Sequence, residues 1–236
     1  MNNNYYGTLD KNFTQALNLY ETNHSHKELL ELLKNGNIVE KHIAALKLDT
    51  IIDYDDAEIL LSNLTGQDGK IREVISMRLN EFMANPELIK FFNADKNYNI
   101  FSEGIIDINA NICRNVISAI SNLKNNDKFC SVFCTKLIDM TNKLLNKIEQ
   151  FDFQEGKYKI NKEVFKLYWC LETIYEFKEK IDFYALKQII LRSKSIPEYT
   201  IREKVAKILT KNYIDKDLIK VKEELKNDSN YYVRRF

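Results

Sequence analysis

One unit, a polar turn followed by an amphipathic helix, recurs along nearly the whole of this chain and constrains its fold more than any other feature. Its clearest copy runs from Leu64 to Met83. Gly66, Asp68 and Gly69 make the turn, and Ile71, Val74, Ile75, Leu79 and Phe82 then follow at helical spacing, which places them on one apolar stripe. Glycine relieves the turn of steric cost, and Asp68 can accept from the orphan amides that open a helix. The same grammar returns over 35–46, 109–120, 156–167 and 197–209, and in a short form over 228–236. With Val39, Ile71, Cys113, Ile160, Ile201 and Val233 taken as equivalent, the spacings are 32, 42, 47, 41 and 32 residues. An apolar helix precedes each copy. Periods of this size are those of stacked helix pairs. Two prolines and six glycines among 236 residues leave little material for irregular loops, so the expectation is an all-α chain without sheet.

The helix, turn, helix unit resembles the HEAT-repeat family of armadillo-type α-solenoids, in which a leucine-rich first helix leads through an Asp- or Asn-bearing turn to a Val-Arg pair opening the second. The matching pairs here are Ile71-Arg72, Ile201-Arg202 and Val233-Arg234, with Cys113-Arg114 a looser fit; Val39-Glu40 and Ile160-Asn161 lack the arginine. The resemblance implies an α-solenoid of about five to six HEAT-like repeats with an N-terminal capping helix, forming a single domain over 1–236: residues 1–10 frayed, 11–25 the cap, 26–236 the repeats with the last incomplete. It also implies that the arginine pairs with an acid or amide in the turn of a neighbouring unit.

Net charge is +1, but residues 1–118 carry 11 Lys and Arg against 17 Asp and Glu, whereas residues 119–236 carry 24 against 17. Such polarity can select partners electrostatically. Cys113, Cys130, Cys134 and Cys170 all fall in predicted helices and read as buried thiols of a reducing compartment. Cys130 and Cys134 share a helical face without further ligands to complete a tetrahedron. The amino terminus has neither the basic start nor the apolar run of a secretory signal, and no window is long and apolar enough to span a bilayer. The expected setting is the cytoplasm, with no membrane, metal or cofactor.

In chain order, Asp10 is expected to cap a first helix with a stripe of Phe13, Ala16, Leu17 and Tyr20, and His24 and His26 to lie in a surface connector. Asp53, Asp55 and Asp56 lack the glycine and closing glutamate of a calcium loop and read as helix-capping acids. Pro86 is expected to start a short helix that buries Leu88, Ile89 and Phe92 and leaves one of Phe91 and Phe92 partly exposed. The longest helix is predicted over Asp127 to Phe151, with a turn at Gln154, Glu155 and Gly156 before a helix over Asn161 to Lys178 whose aromatic residues crowd both faces. After a last first-helix over Asp215 to Lys226, only DSNYYVRRF follows, so Leu218, Ile219, Val221 and Leu225 are expected to lack cover unless Tyr231, Tyr232 and Phe236 fold back over them.

The sequence presents no Ser-His-Asp grouping, glycine-rich phosphate loop or complete metal set, so no catalytic residue is assigned. The resemblance implies a non-enzymatic protein-protein interaction or scaffold module that grips another protein on the concave face of the second helices. The basic section supplies the candidate partner-binding residues Lys162, Lys166, Trp169, Lys204, Lys207 and Lys211. A second reading is nucleic-acid binding, with Tyr168, Trp169 and Glu172 cast as in the HEAT-like DNA glycosylases, although the chain is far from strongly basic. A third is a HEAT-like lyase or enzyme partner.

Overall fold

In the computed structural model the backbone is described for residues 3–151, 157–211 and 213–236, and the side chains for 11–151, 161–211 and 213–236. Every regular element among them is helical. A leading helix α1 (Asn3–Glu21) is followed by six pairs: α2 (His26–Asn35) with α3 (Ile38–Lys47), α4 (Tyr54–Leu61) with α5 (Gly69–Met83), α6 (Asn97–Gly104) with α7 (Ala110–Ser121), α8 (Asp127–Ile148) with α9 (Lys157–Phe177), α10 (Phe183–Ser193) with α11 (Tyr199–Ile208), and α12 (Lys216–Lys226) with the short α13 (Tyr231–Arg234).

Local chemistry explains where these helices start. Ser25 and Asn37 form capping boxes with Glu28 and Glu40, and Asp53, Asp68, Asn109, Asn126, Asp182, Asp215 and Asn230 each accept a backbone amide of the turn they open. The acids at 53–56 cap, as the sequence implied: Asp53 accepts from the Asp55 and Asp56 amides at 2.9 and 3.0 Å. Gly66 has φ of +71°, a conformation that disfavours any side chain. At Gly104 an added Cβ would lie 3.1 Å from Val116 Cγ2, so the small residue lets α6 settle on α7.

The fold is an all-α solenoid in which like helices stack, and the chain divides into two compact units, 1–104 with 109–122 and 105–108 with 123–236. In the first, α2 packs on α4 and α4 on α6, while α3 packs on α5 and α5 on α7. In the second, α8, α10 and α12 form one layer and α9, α11 and α13 the other. Each pair buries its stripe: Leu33, Ala44, Leu60, Ile71, Phe101 and Val116 in the first unit, and Phe133, Leu137, Ile174, Ile189 and Val205 in the second, are inaccessible to solvent. All four cysteines are buried, and none is joined in a disulfide. No helix among the described residues is long and apolar enough to cross a membrane.

Several expectations are revised. Helix α1 starts at Asn3, so Asp10 lies within it. It packs against α3 through the side of Gln15, Ala16 and Leu19, with Gln15 donating to Glu40 at 3.2 Å, and leaves Phe13, Leu17 and Tyr20 exposed. Lys47 of α3 closes its end by donating to the Tyr20 carbonyl at 2.8 Å. His26 is no loose connector: its ring bonds Asp56 of α4 at 2.7 Å. Beyond Pro86 a 3₁₀ turn, Ile89–Phe92, buries Phe92, while Leu88 and Ile89 stay half-buried and Phe91 sets its ring edge-on to Tyr54. Helix α8 ends at Ile148 and α9 begins at Lys157; the expected turn at Gln154, Glu155 and Gly156 lies outside the described residues. The last first-helix is not bare. Leu218, Val221 and Leu225 are buried under neighbours that include α13, whose Val233 is buried beside them, and only Ile219 of the four remains exposed.

Candidate interaction face

Helix α9 packs on α8 along one side and on α11 along another, which explains why aromatic residues crowd two of its faces. Between those contacts runs one strip at helical spacing, with Tyr168, Glu172 and Tyr175 half-buried and Glu179, just past the end of the helix, exposed. Helix α11 and the turn after it set Lys204, Lys207 and Lys211 opposite it at the same spacing.

The pairing across the two helices is dense. Glu172 receives Lys204 at 2.7 Å on one carboxylate oxygen and Lys207 at 2.8 Å on the other, and Lys211 bonds Glu179. The ammonium groups also lie over tyrosine rings, Lys204 at 4.3 Å from the Tyr168 centroid and Lys207 at 4.2 Å from that of Tyr175, where the negative face of the ring attracts them. Burial pushes the Glu172 carboxyl up, but its hydrogen bonds and charge contacts with Lys204 and Lys207 outweigh this and hold it below the ordinary carboxylate range. Burial works against the Lys204 ammonium, and Glu172 with Tyr168 more than restores it, raising its pKa.

The strip continues onto α13. Arg235 donates to Glu203 of α11 at 2.6 Å and stacks over Tyr232 and Phe236, and the Tyr199 and Tyr232 rings stand 6.2 Å apart. Below it, Arg202 grips Asp228 in the next turn with two bonds of 2.6 and 3.2 Å and also donates to the Ile196 and Pro197 carbonyls. This is the arginine-to-turn pairing that the HEAT resemblance implied. Arg72 donates to the Gln67 carbonyl of its own turn.

Of the six residues singled out from the sequence, the structure brings Lys204, Lys207 and Lys211 together and leaves Lys162 and Lys166 apart from them, nearer the start of α9. Trp169 does not share that surface. It is 6% exposed, edge-on to Tyr168 and Phe165, so it offers no open ring face. The reason is register. Glu172 to Lys204, Glu179 to Lys211 and Glu203 to Arg235 are each separated by 32 residues, so the partner of buried Ile201 in α9 is Trp169, just as Val233 is its partner in α13. The equivalence of Ile160 with Ile201 is about two and a half helical turns out of step, because α9 extends by that much at its start.

Sequence reasoning missed Tyr175, Lys178 and Arg235. The recurrence of a Glu thirty-two residues ahead of a Lys or Arg was the available signal. No protein-family model matches the sequence, and no curated protein sequence matches it. Among solved structures, a designed armadillo repeat protein is similar at 15% identity and a TM-score of 0.43 over 89% of this chain and 96% of its own. Two engineered proteins are similar at 15% and 12% identity, with TM-scores of 0.49 and 0.42; the matches cover 90% and 94% of this chain and 95% and 92% of theirs.

Proposed function

We propose that the chain is a non-enzymatic protein-interaction module that receives its partner on the second-helix layer of its C-terminal unit. One observation carries this reading: the solvent-facing strip of α9, α11 and α13 is built from tyrosine, lysine and arginine side chains held in place by carboxylates and rings. Tyr and Arg dominate the energetics of protein interfaces, and side chains already fixed by neighbours lose less entropy when a partner arrives. Of the residues read from the sequence, Lys207 and Lys211 serve this face directly, Lys204, only 8% exposed, braces it through Glu172 and Tyr168, Lys162 and Lys166 extend its basic character toward the start of α9, and Trp169 supports it from beneath. The four buried, unbridged thiols suit a reducing compartment such as the cytoplasm.

Photo-crosslinking in the native cell tests this reading. A benzophenone side chain placed at Thr210 or Tyr232, on the proposed face, is expected to trap a protein that the same group at Lys143 of α8 or Lys220 of α12 does not trap. Equal trapping from both layers, or trapping of nucleic acid from Thr210, would overturn it.

A further inference from the structure

Lys178, immediately after α9, has a setting unlike the other cations of this strip. Lys204, Lys207 and Lys211 each meet a carboxylate, while Lys178 has none at ion-pair distance. Its ammonium lies 3.9 Å from the centroid of the Tyr175 ring, the same ring over which the Lys207 ammonium lies at 4.2 Å. Two like charges are therefore held on one phenol. The nearby Glu176 is itself engaged by Lys124 at 2.5 Å, and Glu179 by Lys211. Four ammonium groups thus share the two carboxylates of Glu172 and Glu179, and the surplus is concentrated around Tyr175. Burial together with the Lys211 and Lys207 charges outweighs Glu179 and Glu176 and lowers the Lys178 pKa, as expected for a cation short of a counter-charge.

We infer that the occupant of this face is an acidic segment of a partner protein, with one carboxylate bridging Lys178 and Lys207 across the Tyr175 ring. The inference rests on reading the strip as a protein-interaction surface and adds the chemistry of the partner. A carboxylate placed there supplies the missing counter-charge and relieves the repulsion between the two ammonium groups. Both cations are already oriented by the ring, so the acid need not order two long side chains, which is the usual reason that exposed ion pairs contribute little. The C-terminal end of α9 keeps Lys178 in place, because the carbonyls there favour a cation.

The test uses the full chain and two fluorescein-labelled probes, decaglutamate and decaglutamine, with binding read by fluorescence anisotropy at low and moderate salt. Decaglutamate is expected to bind and to weaken as salt rises, and decaglutamine is expected not to bind. Lys178→Glu should weaken decaglutamate about tenfold or more, since it replaces an attraction by a repulsion, whereas Lys220→Glu on α12, an equal change of net charge away from the strip, should stay within about twofold. Thermal melts read in parallel establish that each variant is folded. Tyr175→Leu, which removes the ring while leaving both lysines, should weaken binding by several-fold and provides a second measurement at the same site. Equal losses in Lys178→Glu and Lys220→Glu would mean diffuse attraction and overturn the site. Equal binding of decaglutamine would overturn the charge argument. A single-stranded oligonucleotide binding more tightly than decaglutamate, with the same dependence on Lys178, would assign the face to nucleic acid and overturn the inference. If a protein is photo-trapped from Thr210 but decaglutamate does not bind, the interaction reading stands and this inference falls.

Discussion

Replacing Arg202 by methionine probes the link that joins the last two turns of the C-terminal unit. The guanidinium makes four hydrogen bonds, two to Asp228 and one each to the Ile196 and Pro197 carbonyls, and the two charged side chains are 17% and 10% exposed. Methionine keeps the aliphatic stem and removes every donor. Removing one partner of a buried pair costs about 3–5 kcal/mol; because both side chains retain some solvent, the low end applies, about 3 kcal/mol. In a chain of this size that corresponds to a fall in Tm of about 6–12 °C. Hydrogen exchange should place the loss in α11 and α13, since a repeat array couples mainly to its neighbours. The Arg202 hydrogen bond, more than any other contact, holds the Asp228 carboxyl below the ordinary Asp value. A depressed folded-state pKa means that the unfolded chain binds the proton more readily, so the stabilisation is present above the ordinary Asp pKa and is lost as pH falls through the folded value. Wild type should therefore lose this stability on acidification while Arg202→Met, having lost the interaction already, shows a shallower slope. Unfolding followed by circular dichroism between neutral and acid pH measures both. A Tm within about 2 °C of wild type, or parallel pH slopes for the two proteins, would refute the reasoning.

Three further outcomes follow from the packing. Gly36→Ala sets a Cβ 2.4 Å from the Leu32 carbonyl oxygen and 2.8 Å from Glu40 Cβ, and should destabilise by about 1–3 kcal/mol in a urea melt through overpacking rather than dihedral strain. Phe133 is fully buried between Phe129 and Phe177, with ring centroids 4.9 and 5.5 Å away, so Phe133→Ala should cost about 3–5 kcal/mol in the same assay. Burial pushes the Cys134 and Cys170 thiols up to about 12; both should resist a thiol reagent at mildly alkaline pH in the folded protein and react at once in denaturant, as mass spectrometry of the labelled chain can read.

The fold was legible because its signals are local. A turn acid or amide, a stripe of period 3.6 and a preceding apolar helix are each written within about thirty residues, and the capping residues Asp53, Asp68, Asn109 and Asp215 act where the pattern puts them. What eluded the sequence depends on rotation and register. Helix α1 carries two plausible apolar sides, and its contact with α3 selected the one through Ala16 and Leu19, leaving Phe13 and Tyr20 outside. Trp169 was misread for the same reason: a long helix with no internal breaker gives no indication of which of its turns faces the next unit. The lysines at 204, 207 and 211 were visible as a basic row, but the carboxylates that engage them, Glu172 and Glu179, lie a full repeat away, on α9 and just past its end.

Those long-range pairs define what distinguishes the two units. In each, successive second helices are tied by a polar row in which an acceptor on one helix receives a donor from the next. In the N-terminal unit Arg78 of α5 donates to the Ala45 and Leu46 carbonyls of α3, while between α5 and α7 the donors are amides: Asn111 bonds Glu73 at 2.6 Å and Asn115 bonds the Ser76 hydroxyl at 3.1 Å. In the C-terminal unit the donors are Lys204, Lys207, Lys211 and Arg235. An amide brings no charge of its own to such a row, whereas a row of ammonium groups retains long-range attraction wherever cations outnumber acids. On the α9 to α11 row, among the described residues, the pairing falls short at Lys178, beside a ring that already holds Lys207. A repeat fold needs such rows only to fix the register of its helices; the surplus charge at Lys178 adds nothing to that register, and its natural complement is an acid from outside the chain.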